Sequence, residues 1–129
     1  MSTVLVVDDD LDLLTAMTEA LTEEGWGMVA VRSAPEAMRA VREREIDIVL
    51  CDVFLSDGGD GRALKEALAR DARACHLPFV FMTASVPQVR NADGEGILCK
   101  PFRIPDLVEF LRRALDAGAQ ASGHEGRPG

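Results

Sequence analysis

The sequence predicts an α/β fold, a doubly wound, five-stranded parallel sheet with helices on both faces. Five short apolar segments, several of them rich in β-branched residues, recur along the chain and have the length of strands. Segments with apolar residues at helical spacing separate most of them. The connections are short, and because right-handed crossovers join parallel strands, the helices should cover both faces of one sheet.

Composition limits the class of protein. A chain of 129 residues, 47% of them hydrophobic, is long enough for one domain with a substantial core. The net charge of −8 would repel nucleic-acid phosphates and only 5% of the residues are aromatic, so we expect no direct DNA binding. No apolar run approaches the roughly 20 residues that cross a bilayer, so we expect no membrane insertion.

The amino terminus and the cysteines indicate a cytoplasmic protein. The first residues lack the charged start of a signal peptide. The 3 cysteines include no C-x-x-C pair, which is typical of reduced thiols. Cys51 and Cys99 each precede a polar residue at a predicted strand end, and because neighbours on a strand point to opposite faces, both thiols are predicted to be buried.

The first part of the chain predicts two strands and two helices. Residues 3–7 form an apolar strand that ends at three consecutive aspartates. The last of these, Asp10, is the predicted N-cap of an amphipathic helix. A second strand at residues 28–31 precedes Ser33 and Glu36, which have the spacing of a capping box at the start of the second helix.

The central segment, residues 46–52, reads as a strand covered on both faces and ends in Asp52. A loop at residues 56–61 and a third helix follow. A fourth strand at residues 78–82 then leads to a weakly patterned segment, residues 86–96, where a proline and two glycines leave room only for a short fourth helix.

A brief fifth strand at residues 97–98 is followed by an amphipathic helix, and the chain ends in a stretch rich in glycine, alanine and serine. We therefore predict one domain, residues 1–118, and a flexible tail, residues 119–129. The apolar face of the last helix comprises Ile104, Leu107, Val108, Leu111 and Leu115.

Polar residues stand at the carboxyl ends of four predicted strands, and in a parallel sheet these ends share one edge where ligands bind. Carboxylates packed together repel one another unless a cation neutralises them, and oxygen ligands suit Mg²⁺. An aspartate there is a nucleophile, a metal ligand or a turn former; as a nucleophile it would form an aspartyl phosphate, with lysine and hydroxyl groups contacting the phosphoryl oxygens. The polar residues are Asp8, Asp9, Asp52, Thr83 and Lys100.

These residues resemble the receiver domain of bacterial two-component response regulators. The resemblance covers roughly residues 3–117, and its specificity lies in the order of the pieces at four of the five predicted strand ends. The matching pieces are Val6-Val7-Asp8-Asp9-Asp10, Asp52 at its strand end, Thr83-Ala84 and Lys100-Pro101-Phe102.

The resemblance implies that Asp52 accepts a phosphoryl group from a histidine kinase or phosphotransfer protein. It implies a flavodoxin-like sheet of order 2-1-3-4-5, with residues 1–118 as the receiver domain and a cis peptide bond between Lys100 and Pro101. Thr83 would move its hydroxyl toward the phosphate, and Lys100 would be the countercharge. The implied Mg²⁺ ligands are Asp8, Asp9, Asp52 and the backbone carbonyl of Phe54.

The implied role is signalling rather than enzymatic. Charge placed on the aspartate would reshape nearby loops and change contact with a downstream protein target. Alternatively, the phosphoryl group would pass to the next protein of a phosphorelay. Phosphorylation by small donors and slow self-dephosphorylation are compatible with this role.

The sequence departs from the family pattern at three places. The family has a proline four residues after the phosphoacceptor and a glycine eight residues after it, where this chain has Ser56 and Asp60. The glycine comes one residue later, as Gly61, so the loop is predicted to be longer. The aromatic residue that precedes the lysine by three positions is replaced by Ile97, which argues against a coupled movement of threonine and ring.

Two other functions are compatible with the pattern. A haloacid-dehalogenase-type phosphatase would use Asp8 as nucleophile in a strand-then-Asp-x-Asp motif. It also needs an acidic pair after the lysine, whereas the first acid there, Asp106, lies in the predicted last helix and has no acidic neighbour in the sequence. A receiver-like module that binds partners without phosphate would not need the acids, Thr83 and Lys100 to be present together.

Overall fold

The computed structural model describes residues 2–55, 60–83 and 97–126, with side chains up to residue 116. One sheet of five parallel strands has the order β2-β1-β3-β4-β5, as predicted. The strands are Thr3–Val7 (β1), Gly27–Val31 (β2), Ile48–Asp52 (β3), Phe79–Thr83 (β4) and Ile97–Cys99 (β5).

Helices cover both faces of the sheet, which confirms the doubly wound fold. The described helices are Leu11–Glu23 (α1), Ala34–Glu43 (α2), Gly61–Ala69 (α3) and Ile104–Gly126 (α4). Apolar residues of α1 and α4 join one core cluster, and those of α2 and α3 join the cluster on the opposite face. Within the described part of the chain, no helix has both the length and the hydropathy that a membrane crossing requires.

The central strand β3 is buried because both faces of the sheet are covered. Ile48 and Leu50 belong to the cluster beneath α1 and α4, whereas Val49 and Cys51 belong to the cluster beneath α2 and α3. All four residues are fully buried. This alternation leaves Asp52 as the first partly exposed residue of the strand, at its carboxyl end.

Two of the predicted helix caps are present. The Asp10 carboxylate accepts a hydrogen bond from the Leu13 amide at 3.1 Å and caps α1, as predicted. The Ser33 hydroxyl accepts from the Glu36 amide at 3.4 Å. The Glu36 carboxylate reaches back and accepts from the Arg32 amide at 3.0 Å, one residue before the N-cap Ser33.

Two predictions of local structure concern the last helix and Cys99. α4 continues to Gly126, into the predicted tail of residues 119–129, and the flexibility of this tail stays a prediction. Alanines recur in this stretch, and alanine has the highest helix propensity. Cys99 is exposed rather than buried, because β5 is the edge strand of the described sheet, whereas Cys51 is buried as predicted. The predicted short fourth helix lies outside the described residues, and the domain boundary at residue 118 stays a prediction.

Candidate functional site

Three aspartates come together at the carboxyl edge of the sheet. Asp8 follows β1 and Asp52 ends β3, and these strands are neighbours with Val7 opposite Cys51. One carboxylate oxygen each from Asp8, Asp9 and Asp52 lies within 4.8 Å of the others, which is the spacing of a group that could hold a metal ion.

The aspartates of the cluster differ in access to solvent. Asp8 is fully buried, and both of its carboxylate oxygens have partners. The Asp10 amide donates to Oδ1 at 2.9 Å, and Lys100 donates to Oδ2. The Asp52 side chain is 13% exposed, so its carboxylate lies at the surface of the cluster. A reactant that approaches from solvent therefore reaches Asp52 before Asp8.

Lys100 bridges the two aspartates. Its Nζ lies 2.6 Å from Asp8 Oδ2 and 2.6 Å from Asp52 Oδ2. The residue follows the edge strand β5, and its backbone amide donates to the Thr83 carbonyl at 3.0 Å. The peptide bond from Lys100 to Pro101 is cis, as the family resemblance implied. Lys100 thus reaches Asp52 from two strands away and Asp8 from three strands away.

Burial and pairing shift the pKa values of this cluster. Burial raises the pKa of Asp8, and the hydrogen bonds from Lys100 and the Asp10 amide offset only part of this effect. Burial alone would lower the pKa of Lys100, but the hydrogen bonds to Asp52 and Asp8 outweigh it and raise that pKa. Lys100 therefore stays positively charged, and a further cation would stabilise the Asp8 carboxylate.

Thr83 and Phe54 complete the predicted set. Thr83 ends β4, the strand between those of Asp52 and Lys100, and is 2% exposed. The Phe54 amide donates to Asp52 Oδ1 at 3.0 Å, which orients the carboxylate. Phe54 is 46% exposed at the edge of the site. The use of its carbonyl as a metal ligand stays a prediction.

Residue 97 lies beside the buried Phe81. Ile97 is opposite Phe81 in the register of β4 and β5, and it packs against the cluster formed by Phe81 and Val53. The position that is aromatic in the family therefore holds an aliphatic side chain in an apolar setting.

The start of α3 contacts the site in a way that residue patterns did not indicate. The Gly61 amide donates to the Val53 carbonyl at 2.7 Å, and a Cβ on Gly61 would lie 2.4 Å from the Asp52 carbonyl oxygen. Only glycine permits this approach. The next residue, Arg62, pairs with Asp60, and its guanidinium carbon lies 6.0 Å from the centre of the Phe54 ring. In the sequence, the only indication of this contact was that Gly61 comes one residue later than the glycine of the family.

Comparison with known proteins identifies the family. The family model of the response regulator receiver domain matches residues 4–112. The transcriptional regulatory protein ZraR of Escherichia coli O157:H7 is 34% identical over 117 residues, or 87% of this chain and 26% of that protein. The DNA-binding response regulator MtrA of Mycobacterium tuberculosis is 32% identical over 117 residues, or 87% of this chain and 50% of that protein.

Solved structures share the fold. A sensor protein from Polaromonas sp. JS666 has a TM-score of 0.82 and 29% identity, covering 92% of this chain and 98% of that chain. This chain spans 26% and 50% of the two curated relatives, and one of them is named as DNA-binding, so the expectation of no direct DNA contact gains no support from them. Because the receiver model covers residues 4–112, the chain belongs to the response regulator receiver domain family.

Proposed function

We propose that this chain is a phosphoacceptor whose Asp52 takes a phosphoryl group from a histidine kinase or phosphotransfer protein. One observation carries the proposal. Asp52 is a partly exposed carboxylate of the cluster, and Lys100 Nζ lies 2.6 Å from its Oδ2, where a cation would balance an added phosphoryl group. Membership of the receiver family supports the same role.

The acidic cluster fits a divalent cation, and we propose Mg²⁺. Asp8, Asp9 and Asp52 would hold it, together with the Phe54 carbonyl, because hard oxygen ligands at this spacing suit the ion. When bound, Mg²⁺ would neutralise charge on the carboxylates and on phosphoryl oxygens. Burial raises the pKa of the Asp8 carboxyl even though Lys100 contacts it, so a bound cation would favour its charged form.

The chain's own residues would then orient the reaction. The Phe54 amide holds Asp52 Oδ1 while a carboxylate oxygen of Asp52 attacks phosphorus. The bond from phosphorus to the donor's nitrogen or oxygen breaks, and its electron pair leaves with the donor. Lys100 would stay beside the transferred group as its countercharge, and the Thr83 hydroxyl would donate to a phosphoryl oxygen.

We also propose that the phosphorylated chain signals through contact with another protein. Conversion of the Asp52 carboxylate into an aspartyl phosphate adds negative charge next to Lys100 and Thr83, and this change in charge would reshape nearby loops. A downstream protein target or a phosphorelay partner would detect that change. Slow self-dephosphorylation, a cytoplasmic location and the absence of direct DNA contact belong to the proposal.

The first test is covalent labelling with acetyl phosphate and Mg²⁺, read as the mass gain of one phosphoryl group on the intact protein. The unchanged protein should be labelled, and Asp52→Asn should lose labelling entirely, since the amide is not a nucleophile. Asp116→Asn, which changes an exposed aspartate of α4, is the matched control and should be labelled normally.

Asp8→Asn separates the proposal from the phosphatase reading. It should still be labelled at saturating Mg²⁺, because Asp8 is assigned to the metal and not to the attack. Labelling that survives in Asp52→Asn and disappears in Asp8→Asn would favour the phosphatase. An unlabelled protein under all conditions would favour a module that binds partners without phosphate.

A further inference from the structure

Arg62 lies beside Phe54 at the edge of the site, and its contacts have no part in the proposed phosphoryl transfer to Asp52. Its Nε donates to Asp60 Oδ1 at 3.3 Å, and its Nη2 donates to Asp60 Oδ2 at 3.2 Å. Its guanidinium lies over the exposed ring of Phe54, with 6.0 Å from Cζ to the ring centre. The Arg62 side chain is 57% exposed, and that of Asp60 is 42% exposed.

Backbone contacts tie this arrangement to the phosphoacceptor. Phe54 carries the ring beneath Arg62, and its amide donates to Asp52 Oδ1 at 3.0 Å. On the other side, Gly61 is packed against the Asp52 carbonyl so closely that it leaves no room for a Cβ. Arg62 therefore directly follows a residue whose backbone packs against that of Asp52.

The negative charge around Asp52 favours a second cationic group that binds an anionic donor. Asp8, Asp9 and Asp52 repel an anionic phosphodonor, and the ammonium of Lys100 already contacts two of them. Arg62 is held by exposed contacts, which are weak and readily exchanged. Its guanidinium presents planar donors that match phosphoryl oxygens in the way that they match a carboxylate. A phosphoryl group can thus replace the Asp60 carboxylate as its partner.

We propose that Arg62 is a second cationic contact for the phosphoryl group of the donor, presented by Phe54 and held by Asp60 until the anion arrives. On binding, the guanidinium leaves Asp60 and donates to the phosphoryl oxygens. The inference rests on the proposed function, because it concerns the donor that phosphorylates Asp52.

The test compares substitutions of Arg62 with substitutions of Asp60, and acetyl phosphate is the donor. Arg62→Gln should raise the half-saturating donor concentration by about fivefold, with a maximal rate within about twofold, because one charged contact is lost. Asp60→Asn should lower that concentration, since it frees the guanidinium. The asparagine keeps the side-chain oxygen that accepts from the Arg62 amide at 2.8 Å and caps α3.

Two further variants separate this role from simpler ones. Arg113→Gln breaks a comparable exposed pair with Glu109 on α4 and should match the unchanged protein. In the double variant Arg62→Gln/Asp60→Asn, the gain from Asp60→Asn should disappear, because no arginine remains to be freed. Arg62→Lys should recover part of the lost donor affinity, because it keeps the charge without the planar fork.

Several results would overturn the inference while leaving the proposed function standing. Arg62→Gln and Asp60→Asn acting in the same direction would indicate a structural pair. An equal gain from Asp60→Asn with and without Arg62 would indicate only a change in net charge. Arg62→Gln behaving like Arg113→Gln would leave Arg62 without a role. Labelling that persists in Asp52→Asn would instead overturn the proposed function, and this inference with it.

Discussion

Lys100→Met should lower the rate of phosphorylation by acetyl phosphate by about 100-fold, the loss expected when one preorganised charged donor is removed from a reacting group. Lys100 Nζ is 2.6 Å from Asp52 Oδ2, so the ammonium is already placed where charge would develop. Methionine keeps a similar length and removes the charge. The measurement is the labelling rate at saturating Mg²⁺, followed by intact mass.

The same variant should also unfold more easily without Mg²⁺. Removing the ammonium leaves the buried Asp8 and the neighbouring Asp52 without their shared cation, which costs about 3 kcal/mol of folding free energy. Added Mg²⁺ should restore part of this stability, since a bound cation favours the folded state. Lys65→Met changes the only other lysine of the sequence and serves as the control. Equal labelling rates in the two lysine variants would contradict the assignment of Lys100.

Gly61→Ala should destabilise the protein by about 2 kcal/mol, because the added methyl group forces backbone to move apart. Its Cβ would lie 2.4 Å from the Asp52 carbonyl oxygen and 3.1 Å from Val53 Cα, and neither atom can rotate away. The expected signature is a lower urea midpoint with an unchanged slope. Because the strain falls on Asp52 itself, the labelling rate should fall as well.

Gly27→Ala is the matched control for Gly61→Ala. The nearest atom to its Cβ is Thr3 Oγ1 at 2.7 Å, a side-chain atom that can rotate out of the way. Its stability should change by no more than about 0.5 kcal/mol. If the two alanine variants had equal stability, the close approach of α3 to the phosphoacceptor strand would not be a constraint on this fold.

Residue patterns predicted the fold and the carboxylate cluster for one physical reason. A parallel strand covered on both faces must be apolar along its length, so a polar residue marks its end. Asp52 follows four buried residues, and Asp8 follows β1. These two positions therefore predicted where the carboxyl edge of the sheet lies. Lys100 was predicted there by the same argument, and its contacts with both aspartates agree.

Other features depended on contacts that no local pattern encodes. Cys99 occupies a position that alternation alone would bury, and its exposure follows from β5 lying at the edge of the described sheet. The pairing of Arg62 with Asp60 over Phe54 needs the backbone of α3 to lie against β3. The length of α4 reflects helix propensity in residues that had been assigned to a tail by composition.

The most direct measurement is to locate the phosphoryl group on the unchanged protein. After reaction with acetyl phosphate and Mg²⁺, borohydride reduction converts an aspartyl phosphate to homoserine, which peptide mass spectrometry assigns to a position. The account predicts homoserine at position 52 and an unmodified Asp8. Homoserine at position 8, with Asp52 unmodified, would contradict it.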